Sequence, residues 1–97
     1  MYARVVRWEG ADGEALRRSA AETGERAGSG PPEGLPASSF RMLINPDEGR
    51  ALGIVLFDTE EDLAKGHEVL EQMSPPGEGL GRRVSVEMYE VAVDVAR

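Results

Sequence analysis

The chain has no cysteine and a single lysine, Lys65, and it carries one histidine and one tryptophan. Without cysteine there is no disulfide framework, no thiolate nucleophile and no thiolate metal site. With one histidine, only scattered carboxylates could complete a metal shell, so no metal site is expected. Lysine is scarce and the formal charge is −7, from 18 acidic against 11 basic side chains mixed along the chain. Phosphate-backbone binding needs a local excess of Lys and Arg, so nucleic acid is not an expected partner. No apolar run approaches the roughly 18 residues that span a bilayer. The opening MYARVVRWEG alternates rather than forming a signal-peptide core, and cytoplasmic residence without membrane association is the expectation. Ninety-seven residues, 1–97, make one domain. A domain that small leaves about a third of its unfolded-state surface exposed, so a second subunit would add to its stability.

What is present is a sequence of short, well-marked elements. Tyr2, Val5, Val6 and Trp8 have high β-propensity and predict a strand over 2–8. On a pleat, Tyr2, Arg4, Val6 and Trp8 share one face and Ala3, Val5 and Arg7 the other. Gly10 and Gly13 break this strand, and Asp12 is placed to cap a helix over about 12–26. Its inward stripe, Leu16, Ala20, Thr23 and Ala27, holds one large apolar side chain, which suits a helix lying on a sheet. GSGPPEGLPA (28–37) is a loop. Its glycines follow a helix and lead to a strand, the reverse of a phosphate-binding loop. SSFRMLIN (38–45) and RALGIVLF (50–57) flank Asn45-Pro46-Asp47-Glu48-Gly49, a turn with Pro preset and Gly free for the left-handed region, and together predict a hairpin.

Asp58-Thr59-Glu60-Glu61 resembles a capping box with acids at the positive helix end. The helix it opens runs to about Met73, with Leu63, His67, Leu70 and Met73 or Ser74 on one stripe. A last strand starts near Arg83 and continues as VSVEMYEVAVDV. Pro31-Pro32-Glu33-Gly34-Leu35 and Pro75-Pro76-Gly77-Glu78-Gly79-Leu80 echo each other, so the two halves read as repeats of strand, helix, Pro-Pro loop and strand. The order βαββαβ predicts an α+β, ferredoxin-like fold. Its antiparallel four-stranded sheet has strands one and three in the middle and both helices on one face.

Two helices cover one face only, yet strand three is apolar on both: Leu52, Ile54 and Leu56 on one, Ala51, Gly53, Val55 and Phe57 on the other. Leaving Val55 and Phe57 exposed would forfeit roughly 3–6 kcal/mol, at about 1.5–3 each. The expected cover is the same face of a second copy. The tail Val91, Val93 and Val95, running beyond the other strands, is expected to reach that copy's sheet. RNA recognition by the same fold order would require aromatic side chains at Leu52 and Ile54, where this chain has aliphatic ones.

YARVVRWEG, the Pro-Pro-Glu-Gly-Leu-Pro loop, ALGIVLFDTEEDL and VSVEMYEV together resemble the dimeric α/β-barrel superfamily, specifically its small antibiotic-biosynthesis-monooxygenase-like domains. The resemblance spans nearly the whole chain and rests on architecture and loop style, without a diagnostic catalytic motif. It implies two ferredoxin-like subunits whose sheets face each other as a barrel, with a pocket between sheet and helices in each. Enzymes of the superfamily include cofactor-free oxygenases of polycyclic quinols and haem-degrading proteins, while many members have no known activity. The implied function is binding of a small apolar or aromatic molecule by a homodimer. A cofactor-independent monooxygenase acting on a phenolic or quinol substrate is the alternative, and a purely structural dimer the second.

The candidate site residues follow from the faces. His67 points toward the sheet, next to Gly66, a poor helix former whose missing side chain is expected to leave space. It would serve as general base or as donor to a substrate oxygen; the plainer role is an imidazole satisfied by a backbone carbonyl or a strand side chain. Trp8, Tyr2 and Arg4 share a strand face and would form an aromatic wall with an anion donor, or else core packing with the arginine at its rim. Tyr89, Arg7 and Arg41 are secondary candidates. No cofactor is expected. Haem is disfavoured: the axial histidine on helix two matches the haem-degrading relatives, but Trp8 lies on the first strand and Asn45 at a hairpin turn.

Overall fold

The computed structural model describes residues 1–28, 30, 34–73 and 78–96. Its elements are β1 (Tyr2–Glu9), α1 (Gly13–Ala27), β2 (Ser39–Asn45), β3 (Arg50–Phe57), α2 (Glu60–Gln72), a 3-10 turn at Glu78–Leu80 and β4 (Arg82–Glu90). They form one antiparallel sheet in the order β2-β3-β1-β4, with β1 and β3 central, as the βαββαβ reading requires. The echoed Pro31-Pro32-Glu33 and Ser74-Pro75-Pro76-Gly77 segments lie outside the described residues. No helix among the described residues is long and apolar enough to cross a membrane.

Local signals account for the joins. In the hairpin turn, Glu48 N–H donates to the Asn45 carbonyl (3.2 Å) and to its side-chain oxygen (3.3 Å), and Gly49 takes φ 67°. At the start of α2, Thr59 caps: its hydroxyl accepts from Asp62 N–H at 3.0 Å. Asp58, read as part of the capping box, instead accepts from the Ser38 hydroxyl at 2.6 Å, tying the start of β2 to the end of β3. Asp12 stands at the N-cap of α1 with extended backbone but makes no side-chain capping bond. On α1 only Leu16 is buried; Ala20 and Thr23 are half-buried and Ala27 is exposed.

Alternation and register decide which face the helices take. Across the β1–β3 ladder, Tyr2, Arg4, Val6 and Trp8 stand opposite Phe57, Val55, Gly53 and Ala51. Phe57 is wholly buried beside Val55 and Leu63 of α2, and Ala51 is buried with Leu16 of α1. This is the helix-covered face. The expectation that Val55 and Phe57 need a partner's cover is therefore corrected: α2 covers them. The uncovered apolar side of strand three is Leu52, Ile54 and Leu56, each only half-buried. Beside them on that open face lie Ala3, Val5 and Arg7 of β1, Arg41 and Leu43 of β2, and Glu87 and Tyr89 of β4.

Two further differences concern the C-terminal part. Leu80, in a segment that reads as loop, is 3 % exposed and closes the core formed by Leu16 and Ala51. The last strand was expected to continue through Val95 but ends at Glu90. Val91 N–H still donates to the Met1 carbonyl (2.9 Å), while Val93 and Val95 are each 79 % exposed.

Candidate functional site

The helix-side face of β1 places Arg4 beneath α2, where it is 5 % exposed. A guanidinium there must find partners within the protein. Two come from α2: Arg4 Nε donates to His67 Nδ1 at 3.1 Å, and Nη2 donates to Glu71 Oε1 at 2.7 Å. His67 and Glu71 are four residues apart on the helix and so lie on one face, side by side over the strand. A third group comes from β4. Arg83 donates to both Glu71 oxygens, at 2.9 and 3.4 Å.

Arg83 reaches this face because of a bulge. The β1–β4 register shifts between Arg7 and Trp8, so Ser85 stands opposite Arg7 but Arg83 opposite Trp8. The extra residue, Val84, inverts the alternation and turns Arg83 to the helix side. Without it Arg83 would share the open face with Ser85.

Charge and burial act against each other in this cluster. Burial pushes the Arg4 guanidinium down, while the hydrogen bond and charge of Glu71 work the other way. The Glu71 carboxyl is held below its ordinary range, first by the hydrogen bond from Arg83, with further help from Arg4. His67 accepts through Nδ1, so its ring proton sits on Nε2 and the imidazole adds no charge. Two arginines therefore share one carboxylate, leaving one excess positive charge in a chain of net charge −7.

The sign of the pH dependence follows. A carboxyl depressed in the folded state binds protons less readily there than in the unfolded chain. Its stabilisation is complete above the unfolded value of about 4.3 and is lost as pH falls through the folded value. Melting temperature measured from neutral pH into acid should fall below about pH 4.3, and less steeply in Glu71→Gln. A residual slope remains in the variant, because Glu87 is also depressed, chiefly by the Tyr89 hydroxyl. Identical slopes would mean that Glu71 carries no linked stability.

Beside the cluster the described residues bound a cleft of about 280 Å³, lined by Arg4, Glu71 and Arg83 at one side and by Trp8, Phe40, Val55 and Leu70 among its apolar wall. A second cleft of about 610 Å³ adjoins it along Phe40, Val55, Leu70 and Met73 and opens toward Thr23 and Arg26 of α1. Both lie between the sheet and the helices. The Trp8 ring passes over Gly53, where an added Cβ would stand 3.2 Å from two ring carbons. Gly53 is thus the strand position that leaves room for the indole at the cleft wall.

The structure brings three of the sequence candidates together: Trp8 and Arg4 line the cleft, and His67 is joined to Arg4. It separates the others. Tyr2 packs against the Val55–Phe57–Leu63 core. Tyr89 is on the opposite face, half-exposed, donating to Glu87, which is paired with Arg7 at 3.5 Å. Arg41 is exposed on that same open face. Gly66 leaves no void, because the Phe57 ring fills the space where its side chain would be. Sequence reasoning missed Glu71 and Arg83. For Glu71 a signal exists, the i,i+4 spacing from His67; for Arg83 the bulge hides it. Among the described residues no cluster of three or more His, Cys, Asp or Glu could hold a metal ion.

No protein-family model matches this chain. No curated protein matches it either.

Proposed function

We propose that this chain is a small-molecule-binding domain that works as a homodimer. Its ligand is a compact aromatic or apolar molecule held between the sheet and the helices. The observation that carries the reading is the cleft beside Arg4: a buried, hydrogen-bonded guanidinium next to an indole and an aliphatic wall. A few fixed polar groups in a mainly apolar concavity are what ligand sites consist of. The oxygenase alternative would use His67 as base. Its Nδ1 lone pair is already occupied by Arg4, and Nε2 carries the proton, so abstraction would first require that bond to break. Binding needs no such step.

The dimer rests on the open face. Val5, Leu52, Ile54 and Leu56 form an apolar centre, and Arg7, Arg41, Glu87 and Tyr89 a polar rim, the anatomy of a protein interface. The resemblance to the dimeric α/β-barrel superfamily supports face-to-face pairing of two such sheets.

Trp8 is the chain's only tryptophan, so its fluorescence reports on the cleft. Titration with a panel of aromatic alcohols and quinols should change Trp8 emission saturably. Leu70→Trp, which fills the wall shared by both clefts, should weaken binding at least about tenfold when measured by calorimetry, equivalent to about 1.4 kcal/mol. Oxygen uptake recorded alongside should stay at the buffer rate. Uptake that disappears in His67→Ala would move the protein to the oxygenases, and no saturable binding by any compound would overturn the reading.

A further inference from the structure

Resting on the cleft reading, we propose that the ligand is a monoanion: a flat apolar body bearing one carboxylate, bound by Arg4 and Arg83. The charge count favours it. Two guanidinium groups face one carboxylate at the cleft wall, and the imidazole that completes the cluster is neutral in its hydrogen-bonded form. One added negative charge balances the site.

The donors are there to receive it. Each guanidinium has five N–H groups. Among the described residues Arg4 commits one to His67 and one to Glu71, and Arg83 commits two to Glu71. Arg4 binds Glu71 through a single nitrogen, so its preference for a two-point carboxylate contact is unmet. Both arginines line the cleft together with Trp8. A carboxylate entering there meets donors from two strands, while its ring lies along the indole and the aliphatic wall.

Glu71 behaves as a resident counter-ion. It lies in the last turn of α2, where the helix dipole disfavours negative charge. The two arginines, rather than the helix, hold it in place. Its carboxylate therefore competes with the ligand's, and weakening it should tighten binding.

The test compares naphthoate with naphthamide, a pair of matched shape that differs in charge, by titration calorimetry at low and high salt. The carboxylate should bind at least about tenfold tighter at low salt, with a smaller margin at high salt. Arg83→Gln, at a half-exposed position that leaves the core intact, should abolish most of the preference for the carboxylate over the amide. Glu71→Gln should raise naphthoate affinity several-fold. Equal affinities for the two compounds would overturn the monoanion assignment and leave the cleft reading standing. Binding of neither would overturn both.

Discussion

Gly66→Ala should lower the melting temperature by roughly 8–16 °C, although replacing a mid-helix glycine with alanine ordinarily stabilises. The ordinary gain is about 1 kcal/mol of helix propensity. Against it stands the Phe57 ring. A Cβ on Gly66 would overlap Cε1 and Cζ of that ring and lie 3.3 Å from Cδ1. Phe57 has no exposed surface and is packed with Val55 and Leu63 in the core. Overpacking of a tight core costs about 1–3 kcal/mol and more where neither partner can move. A net loss near 2 kcal/mol corresponds to the stated shift at about 4–8 °C per kcal/mol in a domain of this size. The compensating variant makes the mechanism testable. In a Phe57→Leu background the same substitution should be neutral or stabilising, because the ring edge is gone. A melting temperature that rises in Gly66→Ala alone would mean that the helix packs less closely than the structure shows. The site is coupled to this contact: lifting α2 from the sheet also moves His67 and Glu71 away from Arg4.

Gly66 also shows what the sequence reveals and what it hides. The elements, their order and the central position of β1 and β3 are legible because each rests on local signals: alternation, a Pro-Gly turn, a threonine cap. The face of each strand is not a local property. Tyr2, Arg4, Val6 and Trp8 contain an arginine and look no more inward than Ala3, Val5 and Arg7. The groups that make Arg4 an inward residue lie 63 and 67 positions away. With the face unassigned, Phe57 could not be put beneath α2, so Gly66 read as a gap instead of as the slot for a ring. Arg83 is hidden by a bulge, which shifts the alternation by one residue and leaves no composition mark. Leu80 is hidden by its setting, since a leucine between glycines gives no periodicity to read.

The open face gives the second large effect. Ile54→Glu should convert the proposed dimer to a monomer, halving the mass found by sedimentation equilibrium at micromolar concentration and removing the concentration dependence of melting. Ile54 is at the centre of the uncovered face, opposite Val5 on β1 and Arg41 on β2. In a monomer a glutamate there is half-exposed, with Arg41 across the ladder as partner, so the fold should persist. In a face-to-face dimer two such carboxylates, one per copy, would be taken out of water near the two-fold axis. The desolvation penalty is several kcal/mol per ion, and each 1.4 kcal/mol is tenfold in affinity, so a loss of at least about a thousandfold is expected. Leu63→Glu would be a poor control because it destroys the core. Arg7→Gln, at the polar rim, is the useful one and should leave the dimer largely intact. The cleft lies on the other face of the sheet, so Ile54→Glu should retain naphthoate binding. A wild-type chain that sediments as a monomer and melts sharply at every concentration would remove the dimer, and with it the reason for this apolar face.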